Sequence, residues 1–180
     1  MIKKENDTLG ISSNQGTSFL FGHDEQISFL LDRLRTSQIP NAWLFHGPMG
    51  IGKSSLALNV GKVLSNIDFS KKNHVVSISE QDIRNPKTAV NIGNVFYCRR
   101  RWDDKKKLFQ KYISIEDIRE LNRKFSLSST DNSYKVCIVD TTEDLNISAS
   151  NSLLKMLEEP PKDTLFILVS NNKQSILPTI

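Results

Sequence analysis

The strongest chemical signal in the chain is the run Gly47-Pro48-Met49-Gly50-Ile51-Gly52-Lys53-Ser54. It satisfies the phosphate-loop pattern G-x-x-x-x-G-K-[ST] at every fixed position. Glycines permit the backbone turns that aim several N–H groups at phosphate oxygens. A helix starting at the end of such a loop adds the positive end of its dipole. The pattern assigns phosphate binding to Gly47, Pro48, Met49, Gly50, Ile51, Gly52, Lys53, Ser54 and Ser55. Lys53 is expected to reach the β- and γ-phosphates, and the Ser54 hydroxyl to ligate Mg²⁺. The bland alternative is a chance glycine-rich turn before a lysine. The strand pattern ahead of the loop and the helix pattern after it argue against that.

A phosphate-loop site needs an acidic partner for the metal at the end of a neighbouring strand. Val136-Cys137-Ile138-Val139-Asp140 supplies Asp140, although a strand-end Asp also caps ordinary turns. The residue after it is Thr141 rather than the Glu that activates water in many such ATPases, and Glu143 and Asp144 lie further along. ATP binding with weak or absent hydrolysis is therefore expected, and no catalytic residue is assigned. Ser170, Asn171 and Asn172 end a third strand pattern. Asn171 is a candidate γ-phosphate contact there, with an ordinary strand-end turn as the alternative.

The surrounding patterns supply elements to position these groups. Gln26 to Leu34 carries helical apolar spacing, and Ala42 to His46 reads as a buried strand. Ser54 to Leu64, Ile115 to Phe125 and Ala149 to Leu157 read as helices, the last stopped by Pro160-Pro161. Tyr134 to Val139 and Thr164 to Val169 read as further strands. Strand–helix alternation predicts an α/β fold with a parallel sheet flanked by helices. Residues 1–18 read as a flexible leader and 19–180 as one domain, with an irregular basic insertion over about 85–111.

Composition narrows the class. The 180 residues carry 24 Lys+Arg and 20 Asp+Glu, a formal charge of +4 that is too mild to imply nucleic acid by itself. Two distant cysteines exclude a disulfide-rich scaffold and a four-cysteine zinc site. No apolar run approaches the ~18 residues of a membrane helix, so a cytoplasmic location is expected. The run from Arg99 to Lys107 holds six basic residues around Trp102. It reads as a solvated loop, with nucleic-acid contact as the alternative. His46 reads as a strand-end packing residue.

Three segments carry a family resemblance. Asn151-Ser152-Leu153-Leu154-Lys155-Met156-Leu157-Glu158-Glu159-Pro160-Pro161 resembles the N-A-L-L-K-x-L-E-E-P-P signature of clamp-loader AAA+ subunits. Phe21-Gly22-His23-Asp24 and the strand into Gly47 resemble their N-terminal segment, and Ile113-Ser114-Ile115-Glu116-Asp117-Ile118-Arg119 resembles one of their helix openings. The likeness covers about residues 19–180. Within the family the chain is similar to the delta-prime subunits of bacterial DNA polymerase III, because Asp140-Thr141 replaces the Asp-Glu pair of the motor subunits. Cys98 alone stands where many relatives carry a four-cysteine zinc module, so no zinc is expected.

The resemblance implies an AAA+ P-loop fold that binds ATP and Mg²⁺, the metal through Ser54 and Asp140. His23 would line the adenine side, with a structural use as the equal alternative. The partners implied are the gamma/tau and delta subunits, and through the complex the sliding clamp and primed DNA, with no membrane. The family's lid and collar domains are not within these 180 residues, and its trans-acting Arg would follow Ile180. The alternatives are a stand-alone P-loop ATPase or nucleotide kinase, and a truncated inactive remnant.

Overall fold

The runs Val136 to Val139 and Leu165 to Val169 are apolar throughout, which is the pattern of strands covered on both faces. The computed structural model describes residues 19–36, 38–65, 78–85, 94–127 and 134–172. The expected leader, Pro86 and the stretch 173–180 lie outside these residues. The elements run α1 (Asp24–Arg35), β1 (Ala42–His46), α2 (Lys53–Ser65), α3 (Glu80–Arg84) and β2 (Val95–Cys98). A small hairpin of β3 (Trp102–Asp103) and β4 (Leu108–Phe109) follows. Then come α4 (Ile115–Leu127), β5 (Lys135–Asp140), a 3₁₀ turn (Thr142–Asp144), α5 (Ile147–Glu158) and β6 (Thr164–Ser170).

Four strands form one parallel sheet in the order β1-β6-β5-β2. Their alternation sorts side chains onto two faces. Val95, Tyr97, Val136, Ile138, Leu165, Ile167 and Val169 share one core with α1, α2 and α3. Phe96, Cys98, Cys137, Val139, Phe166 and Leu168 share the other with α4 and α5. The result is the expected α/β architecture, a sheet between two helical layers.

Local chemistry sets the helix ends. Asn146 accepts the Ala149 N–H at 2.8 Å and caps α5. Ser114 and Asp117 exchange backbone-to-side-chain bonds at 2.8 and 3.4 Å at the start of α4. Lys135 donates to the Phe125 carbonyl near the end of α4 at 2.7 Å, a cation where the helix dipole is negative. Gly61 sits in mid-helix, where it costs about 1 kcal/mol against alanine. The burial of Leu56, Val60 and Leu64 outweighs this at roughly 1.5–3 kcal/mol for each large side chain. A Cβ at Gly61 would stand 3.3 Å from Val95 Cγ1 and 3.4 Å from Ile138 Cδ1, so the glycine lets α2 approach the sheet.

Several expectations are corrected. β1 is an edge strand of the described sheet, and of its five residues only Trp43 is buried. Leu44 is 45% exposed, and His46 is exposed rather than packed. The stretch 85–111 is no mere insertion, because it contains β2, a fully buried strand of the main sheet. Cys98 therefore sits in a core strand and not in a metal-module loop. Within the apolar helical pattern of Gln26 to Leu34, Phe29 is 53% exposed. Asp140 ends a strand that is separated from β1 by β6.

The arginines of the basic run turn inward. Arg100 pairs with Asp144 at 3.1 Å. Arg101 bridges Asp117 at 2.5 Å and Glu120 at 2.7 Å on α4. Arg99 lies over the Tyr97 ring, 5.8 Å from its centroid. The arginines of the run thus tie the hairpin to the turn after β5 and to α4, while Lys105, Lys106 and Lys107 are exposed, as in a solvated loop.

Candidate nucleotide-binding site

The phosphate loop spans the gap between β1 and α2, where the strand order places it beside the end of β6. Gly50 and Gly52 have φ of 87° and 96°, backbone that side chains strain to adopt. At Gly47 a Cβ would come 2.8 Å from Ile51 Cδ1. The three glycines are therefore required by the loop's own shape. Pro48, Met49 and Gly50 lie exposed at its rim, Met49 at 86%.

Lys53 begins α2 and is buried. Its ammonium donates to the Pro48 carbonyl at 2.7 Å and to Asn171 Oδ1 at 3.0 Å. A buried cation held by two neutral acceptors is ready to exchange one of them for an anion. Asn171 is thus brought to Lys53 across the sheet. Ser55, by contrast, is exposed on the first turn of α2.

On the metal side, Asp140 meets a residue that the sequence did not single out. The Tyr97 hydroxyl donates to Asp140 Oδ2. Burial pushes the Tyr97 phenol above its ordinary value, and the bond to Asp140 adds to this, so it stays a donor at neutral pH. Register explains the meeting. Tyr97 is level with Ile138, two residues before Asp140 on the same face, and that face looks onto α2. A tyrosine in an apolar strand signals little by itself. Only its position opposite the end of β5 gives it a role.

Glu143 is not placed as a base. Its Oε1 accepts from Ser170 Oγ at 2.6 Å, from Asn171 N at 2.7 Å and from Asn172 N at 2.9 Å. Burial raises its carboxyl, but these bonds outweigh it and bring it down to about 2. Glu143 is a strut that fixes the end of β6, and with it Asn171. Of the strand-end trio, Ser170 and the Asn172 amide are thus committed to Glu143.

A cavity of about 190 Å³ lies on the other side of the loop, lined in part by His23, Gln26, His46, Ile51 and Lys53. His23 is within 2.6 Å of the Ile51 carbonyl, so the N-terminal segment is tied to the loop. Arg84 holds that segment from behind, donating to the carbonyls of Leu20 at 3.0 Å and Gly22 at 2.8 Å and pairing with Asp24 and Glu80. Nothing local marks Arg84 for this role, since Leu20, Gly22 and Asp24 lie 60 or more residues away.

Comparison with known proteins gives the relationship. The sequence profile of the family described as DNA polymerase III, delta subunit, matches residues 22–180. This chain belongs to that family. It is 27% identical to DNA polymerase III subunit tau of Bacillus subtilis over 169 residues, covering 88% of this chain and 26% of that protein. It is 28% identical to subunit delta' of the same organism over 156 residues, covering 86% of this chain and 43% of that one. Subunit tau of Escherichia coli is 28% identical over 164 residues, covering 88% and 23% respectively. The chain spans less than half the length of these relatives.

A crystal structure of a DNA polymerase III gamma subunit-related protein from Thermotoga maritima superposes with a TM-score of 0.58 at 20% identity. It covers 86% of this chain and 42% of the other, which shows a shared fold, the AAA+ type of P-loop domain. Among the described residues no helix is long and apolar enough to cross a membrane.

Proposed function

We propose that this chain is the nucleotide-binding domain of a clamp-loader subunit of the delta-prime kind, serving sliding-clamp loading on primed DNA. The observation that carries the nucleotide reading is the buried Lys53 ammonium, held at the mouth of a glycine-shaped loop by Pro48 O and Asn171 Oδ1. ATP phosphates would take the loop N–H groups and Lys53. The cavity beside His23 and Gln26 would take the base side. Ser54 and Asp140 fit a hard divalent cation by donor chemistry, a hydroxyl and a carboxylate on adjoining elements. Mg²⁺ bound there would neutralise phosphate charge.

Hydrolysis by this domain alone is weak in this reading. Thr141 follows Asp140 where a water-activating Glu would stand, and Glu143 is committed to Ser170, Asn171 and Asn172. The partners are other clamp-loader subunits of the gamma/tau and delta kinds. Titration with a fluorescent ATP analogue tests the nucleotide reading. Saturable binding that Lys53→Ala weakens by at least ten-fold supports it, and no binding by the wild-type chain overturns it. Co-elution of the full-length subunit with gamma/tau from the same cell tests the assembly.

A further inference from the structure

We propose that Tyr97 is a positioning residue of the metal side of this site, orienting the Asp140 carboxylate toward a divalent cation. The inference rests on the nucleotide reading above and adds a residue to it.

The geometry joins two elements, Tyr97 in β2 and Asp140 at the end of β5. Tyr97 has one proton, and it goes to Asp140 Oδ2. It thereby occupies one carboxylate oxygen of Asp140 and leaves Oδ1 available for a cation. An outer hydrogen bond to a carboxylate fixes its orientation, and loss of such partners costs about ten- to a hundred-fold in metal affinity.

The placement is specific to this oxygen. Tyr97 is buried with Val95, Val136 and Ile138, and its hydroxyl is the atom that reaches Asp140. A phenylalanine would keep the packing and remove that bond. Arg99, over the same ring, helps to hold it in place.

The experiment is a Mg²⁺ titration of fluorescent ADP binding to wild type and Tyr97→Phe, with parallel binding in EDTA and thermal melts. The expected result is a rise of roughly ten-fold in the Mg²⁺ concentration for half-maximal enhancement. Binding in EDTA should stay within two-fold, because the loop and Lys53 are untouched. An unchanged or lowered Mg²⁺ midpoint overturns the inference while leaving the nucleotide reading standing. A parallel loss in EDTA makes Tyr97 a general packing residue and overturns it as well. No nucleotide binding by wild type overturns both readings. Should Tyr97→Phe not fold, Tyr97→Met fills similar volume without a hydroxyl and gives the same contrast.

Discussion

The Lys53 ammonium and the Asn171 side-chain oxygen stand 3.0 Å apart, although 118 residues separate them in sequence. The contact exists because β6 lies directly beside β1 in the sheet, with His46 level with Ser170. Glu143 then grips the Asn171 backbone N–H at 2.7 Å. A residue after one strand thereby sets the position of a residue after another, and that one faces the phosphate-loop lysine.

Asn171→Ala should weaken ATP binding by roughly three- to ten-fold, the worth of about one hydrogen bond. ADP binding should change less, because Lys53 reaches toward the outermost phosphates. Paired titrations with the two nucleotides check this. Equal losses for both would place Asn171 away from the γ-phosphate.

Glu143→Gln should lower stability at neutral pH by about 1–2 kcal/mol, since charge-assisted bonds are lost on a partly screened carboxylate. The folded-state carboxyl lies at about 2, below its ordinary 4.5. Its contribution is therefore complete above pH 4.5 and fades as pH falls toward 2. Urea unfolding of both proteins between pH 7 and pH 2.5 should show the gap closing over that window. A gap independent of pH would mean that the charge is not what stabilises the strut.

Gly61→Val should destabilise by about 1–3 kcal/mol, the usual cost of overpacking. Even its Cβ would lie 3.3 Å from Val95 and 3.4 Å from Ile138, in a layer with no room to yield. Chemical denaturation measures the loss. A neutral result would show that α2 can move off the sheet at little cost.

Both thiols should resist modification in the native protein. Burial pushes Cys98 up to about 12 and raises Cys137 well above its ordinary value. Both lie in the same apolar layer. Ellman's reagent at pH 8 should find no fast-reacting thiol, and two after denaturation.

The loop from Gly47 to Ser54, its helix and the Asp ending the next central strand were all legible in sequence. The reason is that local spacing encodes them: glycines for the turns, 3.6-residue periodicity for α2, an unbroken apolar run for β5. Asn171 was marked for the same reason, as the residue after such a run. The strand Val95–Cys98 was missed because four residues between irregular stretches carry no period of their own, and a basic run follows at once. The edge position of β1 was missed because an apolar run does not tell which faces will be covered.

Sequence alone determined the kind of chemistry, since a phosphate loop is a contiguous motif whose glycines and lysine act within eight residues. Tertiary structure decided who assists it. Strand order brought Asn171 to Lys53, and register brought Tyr97 to Asp140. The turn after β5 brought Glu143 onto Ser170 and Asn171, in support of the end of β6. Such contacts depend on which strands lie side by side and on the parity of their faces, and neither is written in any local stretch of the chain.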